Sequence, residues 1–473
     1  MTELYRTEFD FLGEMHLPAL TLYGIQTSRA LENFPITGIS LSRFPELINA
    51  LAMVKKACAI TNRDLGVIDS ERANAIAAAC DAILSGLHQD AFIVDMMQGG
   101  AGTSTNMNAN EVIANLALGI LGYSAGDYSR IHPNDHVNLS QSTNDVYPTS
   151  LRLAVLAQCT PLIDTMSHLQ RAFERKALEF SAILKVGRTQ LQDAVPMTLG
   201  MEFGAFAATV QGDIAHVTQQ SELLRTVNLG GTAIGTGINA PASYSQLVVK
   251  CLSEISGLTL SAAPNLVEAT SDVGALVAFS SALKRIAVKL SKISNDLRLL
   301  SSGPRAGLDE IRLPPVQPGS SIMPGKVNPV IPEVVNQVAY QVIGNDLTVT
   351  LAAEAGQLQL NAMEPVIILN VLQSMRMLTR AIKVLADRCV TGIEANVERC
   401  SSLLDGTAIA STALVPLLGY EEAARIAKLA LARNQTVSQI VQDLGIMTSE
   451  KFDRIKHIAY SFSPATDAKH QKA

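Results

Sequence analysis

The chain has no excess of positive charge. Its 37 Lys and Arg stand against 43 Asp and Glu, a formal net charge of −6 with a pI near 5.8. Nothing here is a basic footprint for nucleic acid, and an anionic ligand has to be met by locally placed cations. CxxC pairs are also missing: Cys58, Cys80, Cys159, Cys251, Cys389 and Cys400 are scattered singly, with no secretory peptide ahead of them. They read as reduced, mostly buried small hydrophobes. The eight histidines show no HExxH or other ligand spacing, and the one close pair, His132 and His136, brackets Pro133-Asn134-Asp135 and reads as a turn rather than a metal site. No apolar run is both long enough and free enough of charge to span a bilayer, so the expected address is the cytoplasm, without a membrane partner. Charge itself is scarce, at 17% of residues against 48% hydrophobic. That balance is low for a monomer and points to an obligate oligomer with large surfaces buried between subunits.

What the chain does have is helical period. A length of 473 residues exceeds one ordinary compact domain. Residues Pro45 to Asn62 and Asp69 to Leu84 carry apolar side chains at spacings of three and four. Leu276, Phe279, Leu283, Ile286, Leu290, Ile293, Leu297 and Leu300 form a coiled-coil-like seam, and Val371, Met375, Leu378, Ile382, Leu385 and Cys389 repeat it. Ser150 to Phe180 is long and helical around Pro161. Helices of this length must bury their stripes against each other, which predicts a mainly α fold built on a long-helix bundle. The expected organisation is a mostly helical N-terminal domain over 1–142, a central bundle over 143–396, and a small helical C-terminal domain over 397–473. The last residues, Ala465 to Ala473, are polar and are expected to fray.

Four segments concentrate polar chemistry in these apolar surroundings. Gly99 to Asn108 (GGAGTSTNMN) has glycines that let backbone N–H groups face an anion at a helix start, but no Gly-Lys-Ser/Thr follows, so it is not a Walker loop. Ser140 to Asp145 (SQSTND) precedes the long helix expected from Pro148. Gly187 to Pro196 (GRTQLQDAVP) reads as a polar inter-helix turn in which Arg188 pairs with Asp193. Gly319 to Pro329 (GSSIMPGKVNP), running on to Glu333, is a loop by its glycines and prolines, yet it carries two adjacent hydroxyls, a lysine and an asparagine. That equipment suits gripping a carboxylate and turning one serine toward a reacting carbon. Gly235 and Gly237 do not make a dinucleotide turn, since Ala240 occupies the third glycine position and no strand-helix-strand unit surrounds them.

Together these segments resemble the GTSxNMN, QSTND, GRTxxQDAxP and GSSIMPGKVNP motifs of the aspartase/fumarase superfamily, in the same order and at similar separations. Tyr23 to Phe34 resembles that family's YGxQTxRAxENF segment, with Ser28 the unusual residue, and the likeness extends over nearly the whole chain. The resemblance implies a twenty-helix core formed by a homotetramer, with three subunits meeting at each active site. It implies no metal or organic cofactor and a small four-carbon dicarboxylate as ligand. Carried over residue by residue, it makes Ser320 the base that takes the Cβ proton, with Lys326 nearby. Thr103, Ser142, Thr143 and Ser321 would hold the carboxylate that becomes an aci-carboxylate, while Thr189, Lys326 and Asn328 would hold the other. The leaving amine would lie near Asn144 and Gln190.

Within the family, Gln190 counts against a fumarase, which carries His there, and Gly187 to Gly200 fits the form seen in some aspartases, as does Glu354 to Ile367. The activity implied is reversible elimination of ammonia from L-aspartate to give fumarate. The alternatives are hydration of fumarate, a lyase for an N-substituted aspartate or other amino-dicarboxylate, and a non-catalytic structural protein on the same scaffold. Retention of Ser320 and Lys326 counts against the last. Gly406 to Pro416 departs from the family's usual asparagine-containing segment, and Met201 stands where glutamine is usual.

Overall fold

The apolar stripes dictate the architecture. A computed structural model describes residues 5–460; the polar tail over 465–473 lies outside the described residues. A hairpin of β1 (Tyr5–Asp10) and β2 (Gly13–Pro18) leads into α1 (Ile25–Asn33), α2 (Pro45–Asp64), α3 (Ser70–Leu84) and α4 (Thr103–Ile120). The long helix α5 (Thr143–Glu179) follows, then the antiparallel pair β3 (Leu184–Thr189) and β4 (Gln192–Thr198), and α6 (Leu199–Glu222). Next come β5 (Thr226–Val227), α7 (Tyr244–Ser256), β6 (Ser261–Ala262), α8 (Leu266–Ser271) and α9 (Gly274–Leu300). After β7 (Ile311–Arg312) stand α10 (Val330–Glu354), α11 (Glu364–Arg388) and β8 (Glu394–Ala395). The chain ends in α12 (Val397–Gly406), α13 (Val415–Leu418), α14 (Tyr420–Arg433), α15 (Val437–Asp443) and α16 (Ser449–Tyr460). Helices dominate, and the strands form only two-stranded sheets among the described residues.

The chain divides into two compact units. One comprises residues up to 163 with 215–287 and 340–378; the other comprises 164–214, 288–339 and 379 onward. The five longest helices, α5, α6, α9, α10 and α11, each contribute residues to both. In the first unit, Asp346 of α10 accepts from Ser280 and Lys284 of α9, and Asn345 donates to Ser374 of α11. In the second, Asn336 of α10 donates to the Ser291 hydroxyl and Asn295 of α9, and Lys289 of α9 meets Asp213 of α6. Every residue of both expected seams is buried, none of them more than 4% exposed. Among the described residues no single helix is long and apolar enough to cross a membrane, and all six cysteines are free.

Two local expectations are corrected. The long helix begins at Thr143, not near Pro148. Pro148 lacks the N–H that would bond the Asn144 carbonyl, and Asn228 Nδ2 supplies that bond instead at 2.9 Å, so the helix extends through the proline. The segment from Gly187 to Pro196 is no inter-helix turn but most of the β3–β4 hairpin. Near the C-terminus, Ala410, Ala413 and Leu414 of the unusual 406–416 segment join Ile426, Ile440 and Phe452 in a small core.

If the α9 seam carries the bundle, Leu283→Ala, at a site 1% exposed, will lower unfolding free energy by about 2–5 kcal/mol. A fall in the urea midpoint with an unchanged slope is the expected reading; no fall would mean the seam is not core.

Candidate active site

Backbone geometry at the start of α4 follows from its glycines. Gly102 caps the helix at φ +85°, and a Cβ there would lie 2.4 Å from the buried Tyr147 ring, so only glycine fits. No Thr103 or Ser104 side chain caps this end; Gln98 Oε1 accepts from Thr105 N at 2.9 Å. Thr103, the first helical residue, is exposed. One turn on, Asn106 Nδ2 donates to Thr143 Oγ1 at 3.1 Å, tying α4 to the first residue of α5. Asn144 N donates to Ser142 Oγ, and Asn144 Nδ2 donates to the Ala233 carbonyl at 2.8 Å.

Asp145, fully buried, organises this group. It accepts from Ser142 N at 2.9 Å, Gly230 N at 2.9 Å and Thr232 N at 3.0 Å. Burial pushes its carboxyl above the usual carboxylate range, while these amide donors oppose the shift. Nearby, the wholly buried Lys55 donates to Asn138 and Gln141 at 2.9 Å each, and burial lowers its pKa to about 8. Thr103, Ser142, Thr143 and Asn144 thus belong to one unit, with Asn106, one turn beyond Thr103, bonded to Thr143.

The other expected residues belong to the second unit. The loop around Ser320 is closed on itself: Gly319 N donates to the Lys326 carbonyl at 2.8 Å, and Asn328 Nδ2 donates to the Gly319 carbonyl at 2.7 Å. A Cβ at Gly319 would sit 2.6 Å from the Lys326 oxygen. Within the loop, Ser320 Oγ accepts from Ile322 N at 3.2 Å and Met323 N at 3.1 Å. Ser321 and Lys326 are exposed, and Ile322 is 83% exposed, an unusual state for isoleucine.

Thr189 and Gln190 lie at the tip of the β3–β4 hairpin. Gln190 (φ +54°) and Leu191 (φ +61°) are both left-handed, a conformation costing a residue with a Cβ about 1–2 kcal/mol. Arg188 does not pair with Asp193, its cross-strand neighbour. Its guanidinium grips the fully buried Glu310 through two bonds of 3.1 and 2.9 Å. Burial works against the charged guanidinium, yet Glu310 holds its pKa above the usual arginine value. Lys185 joins the same carboxylate at 3.0 Å and also meets Glu202. Asp145 and Asn106 stood inside motifs already singled out, so their positions were visible but not their work; Lys55 and Glu310 carried no local signal.

The Tyr23–Phe34 segment is fixed by another buried carboxylate. Glu111 accepts from Gly24 N, Gln26 N, Thr27 N and the Thr27 hydroxyl. Burial pushes its carboxyl up to about 7 against those donors. Among the described residues, no group of three or more His, Cys, Asp or Glu is arranged to hold a metal ion.

Comparison with known proteins identifies the family. The family profile described as Lyase matches residues 13–344, and that described as Fumarase C C-terminus matches residues 411–459. The chain belongs to this lyase family, the aspartase/fumarase superfamily. Its similarity is strong to aspartate ammonia-lyases: 57% identity to that of Pseudomonas aeruginosa over 93% of each chain, and 53% to that of Helicobacter pylori over 98% of this chain and 100% of the other. The crystal structure of fumarate lyase:delta crystallin from Brucella melitensis bound to cobalt superposes with a TM-score of 0.95 at 58% identity, covering 97% of this chain and 100% of that one. Class II fumarase from Schistosoma mansoni gives 0.89 at 35% identity, covering 97% and 99%.

The Glu111 shift generates a pH prediction. Between the ordinary 4.5 and about 7 the folded chain keeps a proton that the unfolded chain releases, so this group makes stability fall as pH rises through that window. Glu111→Gln will have a lower stability overall but a flatter profile across it. Urea midpoints at both ends of the window check this, and equal slopes in the two proteins would contradict it.

Proposed function

We infer that this chain is an aspartate ammonia-lyase, converting L-aspartate reversibly to fumarate and ammonia. The observation that carries the mechanism is the Ser320 hydroxyl receiving two main-chain N–H bonds in a self-closed loop. A serine hydroxyl is a poor base in water, but as an oxyanion it is favoured by such donors, by a nearby lysine and by exclusion of solvent. The near full-length similarity to aspartate ammonia-lyases supports the substrate.

In this reading the Ser320 oxyanion removes the Cβ proton, leaving charge on the adjacent carboxylate as a dianionic aci-carboxylate. Thr103, Ser142, Thr143 and Ser321 donate to it, the main lever on so weakly acidic a carbon. Thr189, Lys326 and Asn328 hold the second carboxylate. The carbon-carbon double bond then forms as the C–N bond breaks, its electrons leaving with ammonia near Asn144 and Gln190. Ser320 returns its proton to solvent, and no cofactor enters the scheme.

A homotetramer with sites shared between subunits completes the proposal. Tyr340, Leu347 and Leu351 of α10 are 60%, 60% and 61% exposed, an apolar stripe at helical spacing that a monomer would leave in water. The reduced cysteines fit a cytoplasmic address.

Ser320→Ala will lower fumarate formation from L-aspartate by about 10²–10⁴-fold, measured by ultraviolet absorbance with L-malate and an N-substituted aspartate in parallel. Fumarate from malate alone would make the chain a hydratase despite Gln190. Mixing dissociated Ser320→Ala and Thr189→Ala subunits and reassembling them will restore some activity; no recovery would sink the shared site.

A further inference from the structure

We propose that Glu310 is a positioning residue for this reaction: by gripping Arg188 and Lys185 it holds the left-handed Gln190–Leu191 turn in the one conformation that presents Thr189 and Gln190 to substrate. The proposal deepens the lyase reading above and rests on it. A two-residue hairpin connection with both positions at positive φ is normally the place of Asn-Gly, where a short polar side chain and then none at all tolerate the left-handed backbone. Here the positions are Gln190 at +54° and Leu191 at +61°, and Leu191 is 70% exposed, so its side chain gains little burial in return. Left alone, such a turn would relax into other conformations and carry Gln190 with it.

What opposes relaxation lies directly behind the turn. Register between β3 and β4 is interrupted between Val186 and Arg188, at Gly187, where a Cβ would lie 2.7 Å from the Val195 carbonyl. A break of this kind re-aims the following side chain. Arg188 spends both arms of its fork on Glu310, and Lys185 reaches the same carboxylate from the preceding turn of strand. With Arg188 fixed, strand alternation sends Thr189 the other way, and Thr189 is exposed. Glu310 is itself a rigid post: its N–H donates to the Leu300 carbonyl at 2.9 Å, and its own carbonyl accepts from Asn396 N at 2.9 Å. The carboxylate is completely buried. A buried ion pair is seldom the most stable filling for a core, and apolar residues would serve stability as well. Directional bidentate bonding is what they would lack.

The test uses the full-length enzyme as Glu310→Gln, Arg188→Lys, Leu191→Gly and the double variant Glu310→Gln/Leu191→Gly. Turnover of L-aspartate and amide hydrogen exchange over residues 184–198 without substrate are both measured. Glu310→Gln is expected to lower kcat/KM by about 100-fold, the scale of a displacement near 1 Å at a reacting group, and to speed exchange in the hairpin. Arg188→Lys, which keeps the charge and loses the fork, will do the same less severely. Leu191→Gly alone will stay within about twofold of the parent, because glycine adopts the turn without strain. In the double variant it will recover about tenfold of the lost rate, a rescue that general loss of stability at Glu310 would not show. Unchanged kcat/KM in Glu310→Gln, unchanged hairpin exchange, or no rescue by Leu191→Gly would each overturn the clamp. Should the parent protein form no fumarate from L-aspartate, the lyase reading falls, and exchange alone decides whether Glu310 holds the hairpin.

Discussion

Burial of apolar stripes along the long helices is the constraint on which everything else in this protein depends. A helix of 25 residues or more presents one face that water disfavours along its whole length, and only another such face can cover it. The seam positions from Leu276 to Leu300 on α9 and from Val371 to Leu385 on α11 meet that demand completely. Once those helices are fixed, the polar segments have nowhere to go but the ends and breaks of helices. There, free N–H groups and glycine-permitted backbone make them suited to holding anions.

A second level of order comes from buried carboxylates that bind mainly backbone amides. Asp145 gathers the amides of Ser142, Gly230 and Thr232. Glu111 gathers those of Gly24, Gln26 and Thr27. Each spends its desolvation cost on fixing a loop's path, because a buried acceptor without its donors would be far more costly than one that has them. Glu310 follows the same logic with cations in place of amides. Ser142 and Arg188, each within the candidate motifs, are thus tied to carboxylates that are themselves out of water.

Much of this was legible in advance, and the failures have physical causes. The helix stripes were readable because a period of 3.6 is a local property, visible wherever apolar residues recur. The start of α5 was misread because Pro148 ordinarily marks a boundary; the carbonyl it strands is taken by Asn228, 84 positions away. The β3–β4 hairpin was missed because its turn runs through Gln-Leu rather than Asn-Gly, and nothing local signals a left-handed leucine. Arg188 was assigned to Asp193, five residues on, when its partner Glu310 is 122 residues away. The motif residues, Asn106 among them, were found by resemblance, while Glu310, the buried partner of Arg188, carries no pattern a single sequence can display.

By itself, then, the amino-acid sequence determined that long helices form, that they must bundle, and which short segments resemble the family's motifs, since periodicity and motif are written within a few turns of chain. Only the tertiary structure decided which buried charge meets which, and how the backbone bends to let them meet. Pairing of that kind depends on which distant segments the packed helices bring side by side, and Coulombic and hydrogen-bond partners act across space without regard to separation along the chain.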